Sequence, residues 1–138
     1  MITGWRLIFV LVVIGVVLTV IDFVWLSLIA KQFYTQALGD LLSATPNLRA
    51  AAAFYLMYLA GMAYFVVVPA LNAGSWRLAI LNGALFGLFT YGTYDLANLA
   101  TLRDWPMKIV VVDMAWGTGL SASVGVISWV IARAVLRV

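Results

Sequence analysis

Neither cysteine nor histidine occurs among the 138 residues of this chain. Without cysteine there are no disulfides, thiolate metal sites or thiol nucleophiles, and the redox compartment leaves no trace. Without histidine there is no histidine-ligated haem, no imidazole metal site and no Ser-His-Asp arrangement. Charge is also scarce, at 9% of residues against about 25% in a soluble domain. The remainder is strongly apolar: 66% of residues are hydrophobic and the mean hydropathy is +1.11. Such a chain belongs in a lipid bilayer.

The net charge is +3, yet no basic cluster accompanies it. The Lys and Arg residues lie in loops and at the ends of apolar stretches, as in other membrane proteins. No nucleic-acid partner is therefore expected, and no cofactor or metal ligand set is recognisable. No retinal Schiff base is expected, because Lys31 and Lys108 flank the apolar stretches rather than sitting inside one.

Four such stretches, about residues 7–30, 50–71, 78–100 and 109–132, each approach the roughly 20 residues that a span requires. The first is longer than a signal-peptide core and ends at a poor cleavage site, so it reads as a retained helix. The expected fold is all-α: one domain, a polytopic bundle of four transmembrane helices. Between the first two, Phe33, Tyr34, Ala37, Leu38, Leu41 and Leu42 recur at helical spacing among polar residues. That pattern predicts a short helix lying in the membrane interface, either a plain connector or a lid.

Inside the first stretch, Gly15, Thr19, Asp22, Trp25 and Ile29 fall on one helical stripe, which we expect to face inward. The second stretch carries no charge. Its Ala50–Ala53 start, with Gly61 and Ala63, suits close helix contact, Pro69 ends or kinks it, and it reads as structural support. In the third, Gly83 and Gly87 continue into Tyr91, Tyr94, Asp95 and Asn98. The fourth has Asp113 and Trp116 near its start, with one small-residue row through Ala115, Gly119 and Ser123 and another through Gly117, Ser121 and Gly125. Gly83, Gly87, Gly117, Gly119, Ser121 and Gly125 are accordingly candidates for contact with a second copy or a partner membrane protein.

The series Tyr94-Asp95-Leu96-x-Asn98, then Trp105-Pro106, then Asp113-x-x-Trp116-Gly117, resembles a family of small bacterial membrane proteins of unknown function. The resemblance covers the whole chain in length and span pattern. It implies a four-helix inner-membrane protein and brings no activity with it.

Three of the five acidic residues, Asp22, Asp95 and Asp113, lie within apolar stretches. A carboxylate at membrane depth costs at least about 2.5 kcal/mol and usually marks a functional site. Spans one and three run one way and span four returns. Counting at 1.5 Å per residue puts Asp22 about 13 Å from Lys31, Asp95 about 12 Å from Arg103 and Asp113 about 8 Å from Lys108. With four spans all three share one leaflet. The expected pocket contains Asp22, Trp25, Tyr91, Tyr94, Asp95, Asn98, Asp113 and Trp116, in which crowded carboxylates do not all ionise.

Such a pocket suits a small proton- or cation-coupled transporter, or a ligand-binding protein whose rings hold a cationic substrate. A membrane-embedded lipid-modifying enzyme using the aspartates is the alternative, and a non-catalytic accessory subunit of a membrane complex is another. The balance leans away from an enzyme. Lys and Arg tie at four on each side of the membrane, so the positive-inside rule does not decide orientation. The free amino terminus tips the reading toward both termini in the cytoplasm, in a bacterial inner membrane.

Overall fold

The computed structural model describes residues 1–138 and is entirely helical in its regular structure. Helix α1 (Trp5–Val24) widens into a π-helical turn, Trp25–Ile29. Helix α2 (Lys31–Leu38) follows, then a 3₁₀ turn over Gly39–Leu41. Helix α3 (Leu48–Gly61), a π-helical segment (Met62–Val67) and helix α4 (Val68–Asn72) make one rod. Helices α5 (Trp76–Thr101) and α6 (Met107–Leu136) complete the chain. Three rods are long and apolar enough to cross a membrane: Trp5–Ile29, Leu48–Asn72 and Met107–Leu136. Helix α5 has the length, 26 residues, but polar residues from Asn82 to Asn98 dilute its apolar character.

Local chemistry sets the helix ends. Asn47 Oδ1 accepts from the backbone N–H groups of Arg49 and Ala50, both at 3.1 Å, and so caps α3. Ser75 Oγ caps α5 by accepting from Leu78 N at 3.3 Å. Pro69 neither ends the second rod nor leaves a broken ladder. Proline has no N–H to serve the carbonyl four residues back, which is Phe65. Asn82 Nδ2 on α5 donates to that carbonyl at 3.0 Å, and the backbone passes the site in π register.

Helix α6 is the central rod, buried along a face from Ile109 through Asp113, Gly117, Ser121 and Val124 to Ala132. Helix α5 lies against it at glycine distance. A Cβ built on Gly87 would come within 1.9 Å of the Gly117 carbonyl oxygen, and one on Gly83 within 2.4 Å of the Ser121 carbonyl oxygen. A Cβ on Gly125 would sit 2.8 Å from the Ala79 carbonyl oxygen, and one on Gly117 would strike the Tyr91 ring. Small residues here let two backbones touch, which is the main source of attraction between helices in lipid.

Several expectations need correcting. The inward row of α1 is Val10, Ile14, Leu18 and Asp22, an i, i+4 series. Thr19 and Ile29 of the expected stripe are exposed, and only Asp22 is common to both rows. The alanines at the start of α3 are not buried; close packing starts at Gly61, where an added Cβ would come within 2.5 Å of the Phe86 ring, and continues through Met62 and Ala63. Helix α2 stops at Leu38 because Gly39 turns to φ 50°, so Leu41 and Leu42 lie beyond it. Most of the glycines assigned to a partner, Gly83, Gly87, Gly117 and Gly125, together with Ser121, are spent between α5 and neighbouring elements of the same chain. Only Gly119 has open space around it.

Candidate functional site

Asp95 projects from the buried face of α5 and has no exposed surface at all. Neither of its oxygens accepts a hydrogen bond. Asp113, 8% exposed on the first turns of α6, is its neighbour across the α5–α6 seam. The indole of Trp105, in the connection between the two helices, also approaches Asp95 without closing a regular hydrogen bond. Asp95 and Asp113 thus form a buried carboxyl pair in which Asp95 has no fixed donor. Buried polar groups are normally satisfied, so this carboxyl is exceptional.

Asp113 is held from a different direction. The Tyr34 hydroxyl, on α2, donates to Asp113 Oδ1. In turn, Trp25 Nε1 donates to the Tyr34 oxygen at 3.3 Å. Trp25 stacks on Trp116 with ring centroids 4.2 Å apart and planes 8° from parallel. Burial, with Asp113 second, raises the Tyr34 hydroxyl above the usual tyrosine range, so it remains a donor. The chain therefore roofs the acid pair with aromatic rings from two connections: Tyr34 before α3 and Trp105 before α6.

Asp22 forms a second unit. It is 7% exposed, and Tyr55 of α3 donates to its Oδ2. One turn further along the same rod, the Tyr58 hydroxyl meets Ser121 Oγ. Ser121 itself donates to the Gly117 carbonyl at 2.8 Å, which leaves Tyr58 as the donor in that pair. Tyr91 lies between the units, its ring over Gly117 and edge-on to Tyr58 at 6.2 Å.

The residues expected in one pocket therefore divide. Trp25, Asp95, Asp113 and Trp116 come together, Asp22 sits apart with Tyr55, and Tyr91 bridges them. Tyr94 is 56% exposed and meets the Trp105 ring edge-on at 6.0 Å. Asn98, one turn on, is half-buried. The three carboxylates do not form a single group able to hold a metal ion.

Sequence reasoning missed Tyr34, Tyr55, Tyr58 and Trp105. The second rod, expected to give only structural support, carries two of these hydrogen bonds on Tyr55 and Tyr58. The available signal was Tyr55 and Tyr58 at i, i+3, two hydroxyls on one face of an otherwise apolar stretch. Tyr34 gave no such signal, because its partner is 79 residues away.

Comparison with known families places the chain: the model of the family described as "Predicted membrane protein (DUF2177)" matches residues 7–130. The chain belongs to that family, whose function is unknown. No curated protein and no solved structure matches it.

Proposed function

Starting from membership of this membrane protein family, we propose that the chain is a bacterial inner-membrane protein of four spans that binds and transports a small monocation in exchange for protons. In this reading α5 is the fourth span, buried against α6, and α2 lies in the interface above the acid pair. The observation that carries it is Asp95: fully buried, unbonded at both oxygens and next to a second carboxyl. A group kept for packing alone would have a donor, as Asp22 and Asp113 do. Two carboxyls side by side away from water hold a proton between them and carry one net negative charge. That charge is balanced by either a second proton or one small cation. The stacked Trp25–Trp116 pair and Trp105 add aromatic surface suited to an organic ammonium. A protein of this size requires two copies for alternating access, and the outward Ala115–Gly119 side of α6 is the surface left for that contact.

Difference infrared spectroscopy of the protein in lipid nanodiscs tests this. Wild type, Asp95→Asn and Asp113→Asn are titrated with acid and then with ammonium or methylammonium. Coupled carboxyl bands that change with either substitution, and that respond to the cation, are expected. Two ordinary, mutually independent carboxyl titrations with no cation response would end the proposal.

A further inference from the structure

Charge is not shared evenly between the two ends of this protein. The end that carries Lys31, Arg49, Arg103 and Lys108 also carries Asp40 and Asp104. At the opposite end stand four arginines, Arg6, Arg77, Arg133 and Arg137, and no acidic side chain occurs in residues 1–6, 72–77 or 133–138. The amino and carboxyl groups of residues 1 and 138, also at this end, cancel each other. The side-chain surplus is therefore left unneutralised by the protein itself.

Packing gathers these segments around the turn between α4 and α5. Ile2 N donates to Asn72 Oδ1 at 3.1 Å and brings the start of the chain to that turn. Trp129 Nε1 of α6 donates to the Ala70 carbonyl at 3.1 Å, which fixes an indole that is itself buried. The Arg133 guanidinium lies over that fixed ring, 5.2 Å from its centroid. Its Nη1 also stands 3.5 Å from where a Cβ on Gly74 would be, and Gly74 has φ 63°. Arg133 is thus placed on the turn, not left to sweep the surface. Arg77 follows Gly74 by three residues and is exposed, its guanidinium 5.5 Å from the Trp76 ring. Two guanidiniums flank one turn with no acid beside them, and an anion complements them.

The level of the turn in the bilayer says which anion. Trp5 and Trp76 begin their rods and are largely exposed, and Trp129 lies one turn before Arg133. Tryptophans at rod ends settle at the headgroup level. Each of these rings has an arginine against it, Arg6 at 6.0 Å from the Trp5 centroid completing the set. Guanidiniums at that level meet lipid phosphates, which their planar forks bind bidentately.

We propose that the turn between α4 and α5 is a headgroup site for an anionic phospholipid of the phosphatidylglycerol class, its phosphate between Arg77 and Arg133 and its glycerol backbone against Trp76. A zwitterionic lipid suits the site less, because its own ammonium neutralises its phosphate and meets unpaired arginines. The site lies at the far end of the rods from the Asp95–Asp113 pair and does not depend on that reading.

Native mass spectrometry of the whole protein tests this, with micelles titrated with phosphatidylglycerol or with phosphatidylcholine of the same acyl chains. A saturable phosphatidylglycerol adduct is expected, about tenfold or more tighter than phosphatidylcholine. Arg77→Gln combined with Arg133→Gln should remove that preference. Lys31→Gln combined with Arg49→Gln, the same charge change at the other end, should keep it. If the Arg77 and Arg133 double variant does not fold, photo-crosslinking of the wild type decides: a phosphatidylglycerol with a diazirine near its headgroup should label peptides around Trp76 and Trp129. Glycerol phosphate, the same anion without acyl chains, should not compete; competition would mean that the site takes a soluble phosphate and not a lipid. Equal binding of the two lipids, equal loss in both double variants, or labelling confined to other segments would overturn the proposal.

Discussion

The hydroxyl of Tyr34 on α2 donates to Asp113 Oδ1 on α6, joining two residues 79 positions apart in the chain. Apart from this bond, α2 has few anchors. It contains no buried residue, its far end unwinds at Gly39, and its further supports are the Trp25 indole, which donates to the Tyr34 oxygen at 3.3 Å, and Lys108, whose ammonium lies 6.0 Å from the Phe33 ring. A short helix without a buried face is held by such single contacts, since its own propensity is marginal at eight residues.

Tyr34→Phe should therefore loosen α2 selectively. It removes the donor, leaves Asp113 without its partner, and should cost about 1–3 kcal/mol. Hydrogen exchange by mass spectrometry should show faster exchange over residues 31–42, with α5 and α6 little changed. Unchanged exchange in α2 would mean that other contacts hold it.

The same bond predicts a pH response on the alkaline side. Burial, and then Asp113, raise the Tyr34 hydroxyl above its usual value. For a group whose folded value is raised, the stabilisation is complete below the unfolded value and is lost as pH rises through the folded one. Helix α2 should thus stay docked through pH about 10, the ordinary tyrosine value, and release only above it. Hydrogen exchange across alkaline pH, corrected for intrinsic rates and compared with Tyr34→Phe, checks this. Release well below pH about 10 would contradict it.

How far this was legible from sequence follows from the range of each interaction. Apolar runs identified the helical rods, because hydropathy is a property of a segment. Chain direction and helix rise led only to the expectation that Asp22, Asp95 and Asp113 share one level; packing pairs Asp95 with Asp113 and gives Asp22 to Tyr55 instead. Rotation was harder to read. Thr19 and Asp22 differ by less than a turn, yet one faces out and the other in, and only packing against α6 decides which. Gly83 and Gly87 announced a close approach but not its partner, since a second copy and α6 of the same chain suit a GxxxG pair equally well. The Asn82–Phe65 bond that compensates Pro69 joins two rods, and nothing local to either reveals it.

Asp95 itself has a distinctive stability signature. Asp95 has no fixed donor, only the proton it shares with Asp113, so Asp95→Leu gives up at most that shared bond while gaining apolar contact and should unfold at about the denaturant concentration of wild type or higher. Asp113→Leu should instead lose stability, by about 1–3 kcal/mol, because it strands the Tyr34 hydroxyl. Reversible unfolding in mixed detergent micelles compares the two. A large loss in Asp95→Leu would identify Asp95 as a packing element and weaken the case for a retained functional carboxyl.

The glycines supply the sharpest steric contrast. At Gly87 an added methyl meets backbone, the Gly117 carbonyl at 1.9 Å, and backbone cannot rotate away. Gly87→Ala must push α5 off α6, which also moves Asp95 away from Asp113. A loss of at least about 1–3 kcal/mol is expected from overpacking. At Gly119 an added methyl meets nothing within 4 Å, and alanine is the better helix former by about 1 kcal/mol. Gly119→Ala should therefore be neutral or stabilising in detergent unfolding. It also probes the outward side of α6: if it disrupts a crosslinked dimer in lipid while leaving the monomer stable, that side carries the contact between copies. Equal tolerance of alanine at both positions would mean that α5 and α6 are not in backbone contact.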